Sequence, residues 1–554
     1  MKTNIPKPPS LLNSKTWSGL IFLAALVWSL QTAGIFNGNL INPGGWNLVE
    51  RFIVAAIHPD FSPEILKITL EATFKTLAYA VCGTFFSVII GLVGGILSSE
   101  VWWTTVSPTK ANHTFTPWLV VRAVLAIPRA IHELIWGLFF VNILGLDPLV
   151  AVLAIAIPFG TITAKVFSEI FDETPRQPLK SLLNSGVSPL TAFTYTIIPQ
   201  AFLNLLSYSF YRFECSIRAA AVLGIIGAGG LGYQMLLSLQ SLRYEEMWTF
   251  LIALVLLSGF TDFWSALLRQ RLGAPSRLDL NVLNLKKPKL NNTQNDPIIK
   301  ASLFVSVVLL IFSFWYVQAD FTKLWSPRTG KLLVGIIDDA LPPDFSQLNQ
   351  IFSLSTQTLA MSILAIAFAG LGGILLSFPA AHILLPGERL NRHWARLILI
   401  LTRFLLLFLR AVPEPIWALI FLFILFPGIL PGAIALCLHN LGILGRLMAE
   451  VTENLDPRPD SSLKALGATN PQTLLYSVIP RTLPRHLAYI LYRWEVCIRA
   501  SVIVGLVGAG GLGRLMTEQL SSFDYKGLLT TLLVFIALTF FVDLISAKLR
   551  QILR

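Results

Sequence analysis

The sequence predicts an all-α polytopic membrane protein of about 12 transmembrane helices, arranged as two parallel six-helix repeats. Three observations carry that expectation. The first is composition: 54% of residues are hydrophobic and 13% charged, with a mean hydropathy of +0.68. A soluble surface needs about a quarter of its residues charged. This chain of 554 residues has too little charge to clothe it in water, so most of its surface must face lipid. The second is a succession of apolar runs of spanning length. The third is a long motif that recurs at one fixed offset.

The spans follow from the need for about 20 apolar residues to cross the hydrocarbon core. In the first half they fall near residues 18–36, 70–98, 118–143, 148–168, 195–226 and 246–268. In the second they fall near 300–318, 354–379, 398–426, 431–449, 474–507 and 528–547. The first run follows Lys2, Lys7 and Lys15 and has no small-residue cleavage pattern, so it reads as a retained span. The third run of each half opens with an amphipathic, arginine-bearing stretch. The expected organisation is therefore residues 1–268 as one unit, 269–299 as a polar Lys-, Pro- and Asn-rich linker, and 300–554 as a second unit.

The net charge of +12 is spread over short loops rather than gathered in an aromatic-laced patch. That excludes a nucleic-acid partner and matches cytoplasmic loops beside membrane lipid. Basic residues collect at the N-terminus, near Lys110 and Arg122, at Arg176 and Lys180, in the linker, between Arg389 and Arg403, at Arg458 and Lys464, and at the C-terminus. Both termini are thus expected in the cytoplasm. The alternate loops mix signs, as with Asp60, Glu64 and Lys67. Cys82, Cys215, Cys437 and Cys497 lie in apolar runs without metal-ligand spacing and read as small buried hydrophobes.

The repeat is plain. "YRFECSIRAAAVLGIIGAGGLG" from Tyr211 returns as "YRWEVCIRASVIVGLVGAGGLG" from Tyr492, an offset of 281, with 13 of 22 positions identical. The same offset relates Pro199 to Pro480, Gly186 to Gly467, Arg129 to Arg410, Glu133 to Glu414 and Asp262 to Asp543. Six spans per half give both copies the same orientation.

Each copy carries a polar cytoplasmic loop, "SLLNSGVSPLTAFTYTIIP" and "SLKALGATNPQTLLYSVIP". A glycine (Gly186, Gly467) permits a sharp turn between two short helices. A proline (Pro199, Pro480) follows 13 positions later and can open the next helix. The pattern resembles the EAA loop of binding-protein-dependent ABC importer permeases, whose short helix docks on a cytoplasmic ATPase. The acidic position of that loop is Lys180 in one copy and Ser461 in the other, which removes any contact made through a glutamate. The alternative is a generic helix-turn-helix loop.

The fifth span of each copy holds charges: Arg212, Glu214 and Arg218, then Arg493, Glu495 and Arg499. A charge near mid-membrane costs about 2.5–3.5 kcal/mol even on a lenient scale, so such groups are paired or face a polar cavity. Glu214 to Arg218 and Glu495 to Arg499 have favourable four-residue spacing. These groups are either internal bridges that fix packing or the lining of a translocation path with a net positive strip that favours an anion. Glu133 and Glu414, one turn beyond an arginine, carry the same two readings. Past the charges stand Gly227, Gly229, Gly230 and Gly232, with Gly508, Gly510, Gly511 and Gly513. Their GxGxxG spacing follows an apolar run rather than a strand in a βαβ unit, so it marks a helix break instead of a dinucleotide site. His439, in "LCLHNLGILGRLMAE", aligns with Pro158, so only the second copy supplies that group.

Together, "RA[IV]xE", "HNLGILGRL", the paired loops and "YRxE…IRA…GAGGLG" resemble phosphonate-type permeases of ABC importers, and the chain is similar to a MetI-like unit present twice. The resemblance implies a bacterial inner-membrane subunit that works with two ATPase subunits and an external solute-binding protein. It implies a phosphonate, phosphite or related phosphorus oxyanion as solute. No GxxxxGK[ST] phosphate loop and no nucleophile-base pair is found, so no catalytic residue, metal or cofactor is expected. An ion-coupled secondary carrier with parallel repeats has no use for the paired loops. A membrane enzyme acting on lipid phosphates would need clustered histidines that the chain lacks.

Overall fold

In hydrocarbon only helices satisfy every backbone N–H and C=O within one segment, and every apolar run folds that way. A computed structural model describes residues 14–36, 40–106, 115–272, 296–381 and 389–553. The helices of the first half begin with α1 (Ser14–Thr32), α2 (Trp46–Ala55), α3 (Pro63–Ser98), α4 (Glu100–Val106) and α5 (Phe115–Ala130). They continue with α6 (Glu133–Leu144), α7 (Pro148–Glu173), α8 (Gln177–Asn184), α9 (Pro189–Leu223), α10 (Leu231–Gln240) and α11 (Tyr244–Leu272). The second half opens with α12 (Pro297–Val317), α13 (Pro327–Ala340), α14 (Leu348–Ala380), α15 (Arg389–Ala411) and α16 (Glu414–Ile424). It closes with α17 (Ile429–Glu453), α18 (Arg458–Ala465), α19 (Asn470–Thr473), α20 (Ile479–Val504), α21 (Gly511–Ser521) and α22 (Tyr525–Leu553).

Several helix starts are written in the sequence as an Asp-Pro or Ser-Pro pair. Asp147, Ser188, Asp296 and Ser326 each accept a first-turn amide, and the proline that follows occupies a position whose N–H would be unpaired anyway.

The expected count of 12 spans is not what hydropathy finds in the structure. Among the described residues seven helices are long and apolar enough to cross a membrane, or up to nine if each of two bent pairs is one span. The third run of the first half is one such pair, with α5 and α6 meeting at 84°. Arg129 and Glu133 therefore lie on different helices rather than one turn apart on one. The fifth run is the other pair, bent by 56° at the glycines. Helix α20 escapes the count because it carries Arg481, Arg485, Arg493, Glu495 and Arg499.

The helices group into two compact units that do not follow chain order. One comprises residues 50–341 with 411–413, and the other residues 1–49, 342–410 and 414–554. The first helix of each half thus belongs with the core of the other half. In the unit built on the first half, α12 lies along α3. Phe312 meets Phe74 edge-on, Phe314 meets Phe85 and Phe86, and Ser302 accepts from Trp264 Nε1 on α11 at 3.2 Å. In the other unit α1 packs on α14. The segment after α1 is tied by a backbone bridge between Ile41 and Leu425.

Within each unit the central pair is α3 with α7, and its equivalent α14 with α17. Small residues let the backbones close: a Cβ on Gly83 would lie 2.7 Å from Ile155, and one on Gly95 2.7 Å from Phe167. Residues 273–295 of the expected linker lie outside the described residues. Its expected first residue does not belong to a linker, because α11 runs through Arg269 to Leu272 and Arg269 is buried.

Candidate transport site and coupling loops

The charges of the fifth span pair with the sixth. Glu495 accepts from Arg550 on α22 at 2.5 Å, and Arg499 lies 3.4 Å from Asp543 on the same helix. The four-residue pairing within α20 is thus replaced by two bridges between helices. In the first half Glu214 lies 3.7 Å from Arg269 on α11, at the same offset. Arg218 places Nη2 3.3 Å from Cys215 Sγ. Glu214 and Glu495 are both 6% exposed, so each carboxylate has left water and depends on its arginine.

The remaining arginine differs between copies. Arg493 donates through Nε to Asn440 Oδ1 at 2.8 Å, while Asn440 Nδ2 donates to Leu436 O. One residue before Asn440, His439 Nε2 lies 3.2 Å from Glu414, the first residue of α16. Glu414, His439, Asn440 and Arg493 are all buried, which brings three predicted residues into one polar cluster drawn from α16, α17 and α20. In the first half the positions of His439 and Asn440 hold Pro158 and Phe159. Arg212 there lies 5.0 Å from the Phe159 ring and donates to Tyr208 Oη at 2.7 Å. Glu133 opens α6 beside His132, whose Nδ1 takes the Leu134 amide as a helix cap. Glu133 lies 3.0 Å from that imidazole, in place of the Glu414–His439 contact.

The glycines break the fifth span. A wide π turn at Gly224–Ala228 ends α9, and another at Gly505–Ala509 ends α20. Gly227, Gly229 and Gly230 have positive φ, as do Gly508, Gly510 and Gly511. The next helix restarts when Thr76 Oγ1 accepts from Leu231 N, and Thr358 Oγ1 from Leu512 N, each at 2.9 Å. Gly232 and Gly513 serve by closeness: a Cβ on either would overlap the carbonyl of Ala221 or Val502.

The two loops sit at exposed turns. Lys180, Gly186, Ser461 and Gly467 are all exposed, and the two glycines have φ of +81° and +87° with open space where a Cβ would point. Pro199 does not open its helix as expected. Ser188 caps α9 ten residues earlier, so Pro199 is interior. In the second half Gln472 reaches back to the Thr469 amide to start α19, and the chain widens into a π turn at Leu474–Val478 before Pro480. In the first copy the cap sets the start and Pro199 perturbs a helix already under way, whereas Pro480 stands in the first turn of α20, as expected.

Two repeated pairs escaped the motif search. Arg122 lies 3.4 Å from Asp172 and donates to Ser98 O; Arg403 pairs with Glu453 and donates to Ala380 O. They pin α5 to α7 and α15 to α17, at the end of α7 and α17 that leads into the loops. The constant offset was their signal, with Asp172 replaced by Glu453. Arg269 and Arg550 share it too.

A family model described as "binding-protein-dependent transport system inner membrane component" matches residues 111–274 and again 373–554, more than half the chain. The chain belongs to this family. This permease carries the family unit twice, in an all-α membrane fold. The phosphate-import permease protein PhnE of Mycolicibacterium smegmatis is 27% identical to it over 478 residues, which cover 86% of this chain and 84% of that one. The phosphite transport system permease protein PtxC of Stutzerimonas stutzeri is 36% identical over 253 residues, covering 46% of this permease and 88% of PtxC. That relative matches one copy, consistent with the internal duplication. Membership implies a multi-pass inner-membrane component of a transport system, working with an ATPase and a solute-binding protein.

Proposed function

We propose that this permease forms the translocation pathway for a phosphorus oxyanion, a phosphonate, phosphite or phosphate, and that two ATPase subunits drive it. The observation that carries the reading is the duplicated loop. Two exposed short helices, α8 and α18, each end at a glycine of positive φ and each lead into the charged fifth span. One docking element per copy calls for one ATPase per copy. The solute is argued from the names of the relatives, and from two arginines against one glutamate in each fifth span, a net positive strip suited to an anion. Basic residues at Arg176, Lys180, Arg458 and Lys464 support a cytoplasmic location for both loops and, with them, for both termini. An external binding protein delivers the solute to the opposite face. Of the candidate path groups, Glu414, His439 and Arg493 are assigned to the path, and the bridges of Glu495 and Glu214 hold the helices that frame it.

The test is uptake of radiolabelled phosphite, methylphosphonate and phosphate into proteoliposomes holding this chain, its ATPase and its binding protein. Accumulation that requires ATP and stops when Gly186 and Gly467 are both changed to valine supports the reading. Uptake that survives ATP depletion but collapses with an ion gradient overturns it.

A further inference from the structure

Beside the glycine break of the first half lies a cavity of about 120 Å³ lined by residues that include Lys75, Tyr79, Leu146, Asp147 and Gly227. Its volume is about that of four waters at ~30 Å³ each, enough for one tetrahedral oxyanion. Lys75 stands on α3 twelve residues beyond Pro63, about 18 Å along the helix, and a Cβ added to Gly229 would lie 2.6 Å from its ammonium. No carboxylate or carbonyl among the described residues takes that ammonium; its nearest partner is the Tyr79 ring, 6.0 Å away. An unpaired lysine within an apolar helix is costly to keep.

The other polar groups of the cavity are already engaged. Tyr79 Oη donates to Ala228 O at 2.9 Å. Asp147 accepts from the Leu149 amide and pairs with Lys323, so its charge is matched by a second ammonium. Across the cavity and its rim stand two ammonium groups and one carboxylate, leaving one positive charge without a counter-ion. The second half carries other residues at the corresponding positions. The two threonines that restart the helices fix the register, and Lys75 and Tyr79 correspond to Gln357 and Met361. Gln357 Oε1 lies 3.8 Å from the Cβ position of Gly510. Asp147 corresponds to Gly428.

We infer that the Lys75 cavity is a binding site for one free phosphorus oxyanion, present in the first copy and absent from the second. The inference rests on the proposed solute class. It assigns the solute a resting place at the helix break of the first copy.

The experiment measures binding to the purified full chain in nanodiscs of zwitterionic lipid, without ATPase or binding protein. Inorganic phosphate, phosphite and methylphosphonate are titrated by calorimetry. Saturable binding at one site per chain is expected. Lys75→Gln, which copies the second half, should weaken it at least tenfold while the unliganded protein is at least as thermally stable as the parent. Gln357→Lys serves as a second variant and should leave the first site intact.

Absence of binding to the parent chain overturns the inference, as does binding that Lys75→Gln leaves untouched. So does loss of the anion signal in nanodiscs of phosphatidylglycerol with no competition by free phosphate, because the occupant is then a lipid headgroup. If ATP-driven uptake is found without this binding, the site fails and the permease reading stands. If binding is found without uptake of any phosphorus oxyanion, the site stands and the solute reading fails.

Discussion

Arg493 is buried among helices and holds its charge there through one amide, Asn440. A hydrogen bond to a charged group contributes about 1.5–3 kcal/mol, and a buried partner left alone loses more than the bond itself. Asn440→Ala should therefore destabilise the detergent-solubilised protein by about 2–4 kcal/mol, read as a drop in thermal midpoint. The equivalent Phe159→Ala should cost the packing of a large side chain, about 3–5 kcal/mol, and a cation–π contact. Glu495→Gln should strand Arg550. Converting both, Glu495→Gln with Arg550→Met, should recover most of that loss, because a buried ion pair replaced by packed neutral groups is close to neutral. A double variant no more stable than Glu495→Gln alone would contradict the pairing. Outside the spans, the hydrogen bond to Asp147 raises the Lys323 amine above its usual 10.5. A raised folded value means that this tie contributes below the unfolded pKa and is lost as pH rises through the folded one. Lys323→Met should thus differ from the parent by a constant stability increment between roughly pH 6 and 9, and the two should converge only in strong base.

At the scale of elements, the two loops are alike outside and unlike underneath. Helix α8 is held by Leu179, buried against Phe171, Phe193 and Ile197. Its counterpart α18 is held by Asp460, which accepts from Arg481 and from Ser477 Oγ at 2.5 Å. Leu179→Ala should loosen the first loop by about 2–5 kcal/mol, and Asp460→Ala should loosen the second. Limited proteolysis should then cut only the altered loop. Gly467→Val forces a β-branched residue into positive φ and should abolish ATPase co-purification, while Gly467→Asn should retain it, since asparagine tolerates that conformation. Much of this was legible in the chain. The loops, the glycine break and the Asp-Pro and Ser-Pro helix starts depend on local chemistry, and local chemistry is written in consecutive residues. The partners were not. That Glu495 chooses Arg550 over Arg499, or that Arg122 reaches Asp172, depends on helix packing that spacing along one helix cannot reveal. The 84° break before Glu133 did not show in hydropathy, because the apolar residues on either side of Pro128 and His132 together make one run of spanning length.

For the molecule as a whole, the sequence divides at the linker, while compactness divides by exchange of first helices. Periodicity and offset describe order along the chain and are silent on which core a helix joins. A cleavage site placed within residues 273–295 supplies the test. The two fragments produced together should co-purify and bind the ATPase, whereas the first produced alone should be degraded, since α3 then lacks the aromatic contacts of α12. Equal abundance of the lone fragment and the intact chain would argue against the exchange.

The exchange also imposes an order on synthesis. A ribosome that has completed α11 has made nearly all of the first core, yet Phe74 and Phe85 wait for Phe312 and Phe314. At about 5–20 residues per second that wait lasts seconds. Helix α1 waits longer still: its partner α14 is made only after the whole first half has passed. During that interval it must be tolerated by lipid or by the insertion machinery. Neither half can mature before the other has begun, so a stalled or truncated chain declares itself by an uncovered helix.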